Sequence, residues 1–599
     1  MRLKPNQRGL GAGPGVVTFA LTVLLVCAAG RSQTKNSNSN ADTVAANSFY
    51  SQGLDALQRQ DLAGARAAFE KTIQLIPRSP EPHNSLGWVL LAQGEIDAAI
   101  AEFKAAVKWK PDFAQAHMNL SRALQQKGEA QGAVIEAREA VRLAPEDSET
   151  HHILGQALSN VGNSSSAAEE LRNAIAIEPN RPELHDDLGS VLVQQAKIDE
   201  AAGEFAEALK LQPQFGQVHL HLGVLRLQQK DIEGAKSELQ AAISLEPGNS
   251  LVHYYLGLAL ESQGAADAAL QEFQYAAKLD PDNADAQKHL GILLQRSGNG
   301  EDAVLAFRQV VKLKPQSPDA HNDLGLALLQ TGDAGNSILE FQAALKLRPG
   351  DAGYEGNLGA AYLQKTDFDA AAAHFQAALK FAPQGAVFHY DLGLALKMKD
   401  RLPEAIAEFK RAEELDPKMA DAHYALGVTF WQQGEFAVAA EELRATVEAK
   451  PDYAEAYYTL GSVLKQKGDL QPAADALREA IRLQPDLAGA HTNLGGVLRQ
   501  LGDEDGAASE SRMGMELLKQ KSSEQAATFA TNSGRRFLNA GDLDGAISQF
   551  RAAIQSLPGF APAHYELGVA LQRKGNKEES AREFQKAAEL DPHLRAPGQ

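Results

Sequence analysis

From Ala46 onward, apolar residues recur at helical spacing in paired blocks, and the whole pattern repeats every 34 residues. In the block from Ala454 to Leu487, Tyr457, Leu460, Val463 and Leu464 share one face of a first predicted helix. Ala473, Leu477, Ala480 and Ile481 form the apolar stripe of a second. Gly468-Asp469 separates the two helices and Pro485 ends the second. Asp452 with Glu455 reads as an N-cap and capping box for the first. Each block is therefore a predicted helical hairpin.

In this phase the chain holds fourteen uninterrupted repeats over 46–521 and two more over 527–594. Gly stands at the eighth position of fifteen of the sixteen repeats, with Ser121 the exception. A helical glycine costs about 1 kcal/mol relative to alanine, so its recurrence predicts a close helix-to-helix approach. The twentieth position is Ala in fourteen repeats, and the twenty-fourth is Phe in ten and Leu in four, a large residue beside small ones. Pro closes fifteen repeats. The fourteenth departs: Ser511 replaces the large residue, Lys519 the proline, Gly514 stands at position twenty-seven, and Ser522 to Ala526 are extra. That break at 522–526 predicts a lengthened helix or a soft joint tilting the last two repeats.

These features resemble the tetratricopeptide repeat family, whose signature has a large residue at position 4, Leu-Gly at 7–8, Ala at 20, an aromatic at 24 and Pro at 32. The resemblance implies an all-α chain, an α-solenoid of about 16 antiparallel helix-pair repeats forming a right-handed superhelix. It also implies that first helices line the concave face through positions 2, 5, 6, 9, 12 and 13. A single repeat cannot bury its own apolar face, so stability comes from neighbour contacts.

The amino terminus breaks the pattern. Val16 to Ala29 is a nearly unbroken apolar run behind Arg2, Lys4 and Arg8, too short to span a bilayer comfortably and suited to a signal peptide over 1–30. Ala28 and Gly30 supply small residues for cleavage. Lipidation at Cys27, with Leu24 but also the unfavourable Val26 before it, and an uncleaved membrane anchor are the competing readings. All three place the repeats outside the cytoplasm, periplasmic or secreted, with the membrane touched only through this segment. Residues 31–45, rich in Asn and Ser, read as a flexible tether, and 595–599 as a tail. Cys27 is the single cysteine, so neither a disulfide framework nor a cysteine metal site is expected. The net charge of −19 argues against a nucleic-acid partner.

Eleven of the sixteen histidines occupy position 4 (His83, His117, His151, His185, His219, His253, His321, His389, His423, His491, His564). Such a ladder suggests metal, but successive helices pack about 10 Å apart while zinc–nitrogen bonds are near 2 Å. The histidines are therefore read as aromatic-sized packing residues, and no metal or cofactor is expected. No zincin, phosphate-loop, nucleophile-elbow or EF-hand motif occurs, and the repeats leave no stretch long enough for an enzyme domain. No catalytic residue is expected.

What the face implied by the resemblance offers is acid and aromatic character. Position 2 carries Asp285, Asp319, Asp421 and Glu455, position 5 carries Tyr254, Tyr390, Tyr424 and Tyr458, and Trp431 stands at position 12. Exposed aromatics in a groove anchor partners. The competing reading packs them between neighbouring first helices. The basic clamp of chaperone-docking members is missing, since Lys288 and Arg122 are isolated. The asparagine ladder of the long array in O-linked N-acetylglucosamine transferase is matched at Asn357 and Asn493, as at Asn119 and Asn532, but broken elsewhere, and the transferase domain is absent. The expectation is a non-catalytic scaffold binding other proteins, as extended peptides or helices. A structural part of an envelope export or polysaccharide-secretion assembly, or an accessory subunit of a separate glycosyltransferase, are the alternatives.

Overall fold

The helices follow from the apolar periodicity, and the turns between them from one backbone conformation. The structure, a computed structural model, describes residues 39–594, and among these it contains 31 helices and no strand. They form antiparallel pairs such as Pro80–Ala92 with Ile96–Trp109, or Pro182–Gln194 with Ile198–Leu211. The chain divides at Lys314 and Pro315 into two compact units. The first runs from helix Ser39–Gln58 to helix Gly300–Leu313, the second from Pro318–Gln330 to Lys577–Leu590. Within each, every pair packs on the next in sequence.

At the end of each first helix one residue takes a left-handed conformation. It is glycine in eleven repeats, for example Gly468 at φ +93°. Gln60, Ala196, Lys230, Thr366 and Asp400 hold the same place at φ between 58° and 62°. The following Asp or Asn often caps the second helix: Asp61 accepts from the Gly64 amide at 2.8 Å and Asp542 from Gly545 at 2.9 Å. The capping box predicted at Asp452 and Glu455 is not formed. Tyr453 is the N-cap of helix Ala454–Lys467, so Asp452 stands one residue too early to reach the exposed amides. Where Asn283 or Ser317 occupies that later position, its side chain does accept from the third amide.

The core repeats with the sequence. The position-24 phenylalanines, Phe103 and Phe205 among them, are buried, and all but Phe584 fully so. A Cβ at Gly189 would lie 2.6 Å from the Phe205 ring, which explains the recurrent glycine. The exception is self-consistent: Ser121 stands opposite Ala137, where the ring is missing, and its hydroxyl donates to the Ala133 carbonyl at 2.9 Å.

At the register break the structure has a lengthened helix. Glu504–Asn539, 36 residues, joins the second helix of repeat fourteen to the first of repeat fifteen. Neither a proline nor a left-handed residue interrupts it, and Met513, Met515 and Leu518 are left exposed on it. At the other end, helix Ser39–Gln58 begins inside the stretch expected to be a tether, so 39–45 are helical. Ala41 and Ala45 favour this, and Asp42 complements the dipole in the first turn. Residues 1–38, with the leader and Cys27, and 595–599 lie outside the described residues. Among the described residues no helix is long and apolar enough to cross a membrane.

The position-4 histidines do more than fill space. In all eleven, Nδ1 contacts a glutamate nineteen residues later on the second helix, as in His117–Glu136 at 2.6 Å. Nε2 contacts the carbonyl of the proline closing the previous repeat, Pro111 at 3.0 Å for the same histidine. A carboxylate and a carbonyl only accept, so this geometry suits the imidazolium form, which donates from both ring nitrogens. Burial opposes that charge at His83, His117 and His423, but the glutamate and the proline carbonyl outweigh it and hold the pKa above the ordinary histidine value. Repeat ten reverses the pair, with Glu355 bonding His374 at 2.8 Å. Phe49, Gln287, Tyr457 and Ala530 replace the histidine in the remaining repeats, and there position 23 is Ala or Gln. At Gln287 and Ala306 the missing pair borders an open cavity of about 420 Å³.

Candidate protein-binding site

On the first-helix face, position 5 of one repeat meets position 6 of the next, 35 residues on, because stacked helices are offset by one residue. Tyr50 bonds Ser85 at 3.0 Å, Asn119 donates to Asn84 at 2.9 Å, and His152 meets Asp187 at 2.7 Å. His221 meets Asp186 at 2.7 Å, and Asn357 donates to Asn322 at 2.8 Å. Polar side chains here bind repeat to repeat. Predicted partner-binding Asn357 is committed in this way. So is Asn493, which donates to Ser462 at 2.9 Å and accepts from Lys465 at 3.3 Å.

In the amino-terminal unit the face is electrostatically closed. Glu149 lies 2.7 Å from both Arg122 and Arg181, while His152 bridges Glu149 and Asp187 and Gln156 donates to Asp187 at 2.7 Å. Burial works against the His152 charge, yet the bonds to Asp187 and Glu149 push its pKa up to about 9. Burial likewise opposes ionisation of Glu149, but His152 and the two arginines hold it far below the usual carboxylate range. The charges of the group are spent on one another, so Arg122 is part of an internal network and not an isolated clamp residue. Tyr254 is 8% exposed, edge-on to Tyr255 and packed near Phe273 and His289. It is a wall between helices, not an open anchor. Asp285 is exposed and pairs with Lys314 at 2.7 Å.

The carboxy-terminal unit differs. Tyr390 and Tyr424 are half-buried, with Tyr453 stacked obliquely on Tyr424 at a ring separation of 5.2 Å. Burial, then the charges of Asp421 and Asp391, push the Tyr390 hydroxyl up to about 12. Burial and Glu455 raise Tyr424, and burial with Tyr424, Glu455 and Asp421 raises Tyr453. Asp391 itself is lifted to about 6 by burial. Asp421 and Glu455 are exposed. The structure thus gathers Tyr390, Tyr424, Asp421 and Glu455 into one aromatic–carboxylate patch over repeats eleven to thirteen. The chain's own Lys450 already lies 4.8 Å from the Tyr453 ring centre, a cation on an aromatic face. Trp431 flanks it, half-buried, donating to Gln466 at 2.8 Å. Tyr458 is half-buried, its hydroxyl against Gly489. Asp319 stands apart in repeat nine, held by both Arg348 nitrogens at 3.0 and 3.1 Å and by the Tyr354 hydroxyl at 2.5 Å.

Sequence reasoning missed Tyr453 and Asp391. Tyr453 lies in the turn before its helix, outside positions 2, 5, 6, 9, 12 and 13, and Asp391 at position 6 breaks the asparagine pattern without itself signalling a site.

Solved structures similar to this chain include MamA, 27% identical over 28% of this chain and 96% of that one, at a TM-score of 0.27. Others are pilF of Pseudomonas aeruginosa, at 22% identity, 34% and 92% coverage and 0.32, and yeast Tom70, at 16%, 70% and 96%, and 0.30. No curated protein matches the sequence. The tetratricopeptide repeat profile matches residues 50–108, 84–148, 154–213, 187–235, 226–284, 289–352, 357–420, 390–454, 424–488, 458–511 and 531–594. With more than half of its length so matched and a fold of stacked helix pairs, the chain belongs to the tetratricopeptide repeat family, a fold that generally serves protein–protein interaction.

Proposed function

We propose that this chain is a non-catalytic scaffold outside the cytoplasm. Its aromatic–carboxylate patch over repeats eleven to thirteen receives a lysine- or arginine-bearing segment of another protein. The observation that carries this reading is the convergence of Tyr390, Tyr424 and Tyr453 with Asp421 and Glu455 on the first-helix face. Aromatic rings supply area and cation–π attraction, and the carboxylates favour a basic partner over an acidic one. The network in the amino-terminal unit, where Glu149 and Asp187 are already paired with Arg122, Arg181 and His152, offers no comparable excess of negative charge. Placement outside the cytoplasm rests on the apolar run from Val16 to Ala29 behind basic residues.

A photo-crosslinking residue placed at 421 or 455 in cells should capture a basic segment, while one at Glu441 on the exposed second-helix face should not. Asp421→Lys with Glu455→Lys should weaken binding of the captured partner at least tenfold with helicity unchanged. Unchanged binding removes the patch from the reading, and a precursor retained at full length in the cytoplasmic fraction removes the localisation.

A further inference from the structure

One of the eleven histidine–glutamate pairs carries a third ligand. Glu413, on helix Leu402–Leu415, faces the pair formed by His423, on helix Ala420–Gln432, and Glu442, on helix Phe436–Ala449. His423 Nδ1 lies 2.9 Å from Glu442 and 3.9 Å from Glu413, and the three ligand atoms lie within 4.8 Å of one another. Among the described residues, this is the one His, Cys, Asp and Glu grouping of three or more so placed.

Glu413 is also the residue the repeat does not call for. Its position, the twenty-eighth, is apolar in the other fifteen repeats: Val107, Leu209, Val447 and Ile481 are typical. With Glu413 beside Glu442 in a half-buried place, the single charge of His423 faces two carboxylates, and the excess negative charge favours a divalent cation there. Lys410 and Glu414 also act on Glu413, but the Lys410 ammonium sits over the Phe430 ring, 5.5 Å from its centre, and makes no ion pair with the group. The outer support is present: His423 Nε2 donates to the Pro417 carbonyl at 3.2 Å, the backbone bond that commonly orients a metal-binding imidazole and leaves the other nitrogen to the ion.

We propose that Glu413, His423 and Glu442 form a binding site for a divalent first-row transition ion such as zinc. The cation takes Nδ1 and one oxygen from each glutamate and displaces the proton that Nδ1 shares with Glu442. Ligand atoms around a tetrahedral zinc lie roughly 3.3 Å apart for bonds near 2 Å, so side-chain rotations of about 1 Å close the site. One nitrogen with two carboxylate oxygens suits such an ion better than calcium, which takes six to eight oxygens. Three protein ligands on three helices leave a position for water. The 10 Å spacing that argues against a histidine ladder does not bear on this group, because its ligands come from one rung and the preceding helix. Bound there, the ion ties repeat eleven to repeat twelve beside the aromatic–carboxylate patch.

The test is calorimetric titration of the full chain, stripped with EDTA, with zinc chloride and separately with calcium chloride. Wild type is expected to take up one more zinc equivalent than Glu413→Val and Glu413→Gln, or to bind that equivalent at least tenfold more tightly. Glu413→Val restores the apolar residue of the other repeats and should be at least as heat-stable as wild type in EDTA. If it fails to fold, Glu413→Gln, which keeps the shape, decides alone. Equal zinc uptake by wild type and the folded variants overturns the site, and tighter binding of calcium than zinc overturns the assignment of the ion.

Discussion

The imidazolium clamp makes a prediction that separates it from simple packing. In repeat three, Glu136→Gln leaves a neutral acceptor for His117 Nδ1 at nearly the same place, and the Pro111 carbonyl is untouched. What is lost is the charge. A hydrogen bond to a charged group contributes about 1.5–3 kcal/mol and a neutral one about 1, so the substitution should cost roughly 0.5–2 kcal/mol while the ring is protonated. The His117 and Glu136 side chains are 10% and 24% exposed, so solvent screening removes little of this. The His117 pKa is raised on folding, against an unfolded value near 6.5. The extra stability is therefore fully present below about pH 6 and fades as pH rises through the folded value.

A long repeat array does not unfold in one step, and a melting curve would dilute the change among sixteen repeats. Hydrogen exchange of peptides spanning residues 114–147 reads the local opening directly. At pH 6 the variant should open about two- to thirty-fold more often than wild type, and the ratio should shrink toward one as pH rises through the folded His117 value. Comparing the two proteins at each pH cancels the intrinsic exchange rate. A ratio that stays constant with pH, or one below about two-fold at pH 6, refutes the doubly donating imidazolium.

Three further outcomes follow from the same geometry. Gly189→Ala sets a methyl 2.6 Å from the Phe205 ring and should destabilise its repeat by about 1–3 kcal/mol; Gly189→Ser with Phe205→Ala, copying Ser121 and Ala137, should cost less than the two single changes summed, by hydrogen exchange. Thr366→Gly relieves a β-branched residue at φ 62° and should stabilise by about 1 kcal/mol, seen as slower local exchange. Glu355→His or His374→Glu alone sets like groups against each other in repeat ten and should destabilise it. The double variant restores the majority arrangement and should recover at least wild-type protection, in a double-mutant cycle.

Because one chain carries sixteen versions of its motif, its repeats serve as their own comparison. The 34-residue period, the helix pairs, the Gly–Phe complementarity and the long helix at the register break are all legible in the residues, since each is a local consequence of spacing, turn chemistry or side-chain volume. The histidine clamp was legible too, as the joint presence of position-4 His and position-23 Glu and its reversal at Glu355 and His374. Position 4 considered alone shows only an aromatic-sized residue.

The candidate site was legible by half. Composition marks Tyr390, Tyr424, Asp421 and Glu455 as aromatic and acidic, but so it does Tyr254 and Asp319, which the structure spends on internal packing and on Arg348. Periodicity assigns a side chain to a face of its own helix. It does not say which polar atom of the neighbouring repeat lies opposite, because that depends on how far each hairpin slides along the last. The offset of one residue between stacked first helices turns Asn357 inward to Asn322, seals Arg122 against Glu149, and leaves Tyr453 leaning from a turn onto Tyr424. The sequence by itself determined the repeat, its hairpins and its small-against-large core, because those are contacts within one hairpin. Only the tertiary structure decided which acids, tyrosines and histidines meet across hairpins, and there a shift of a single residue in the stacking changes every partner.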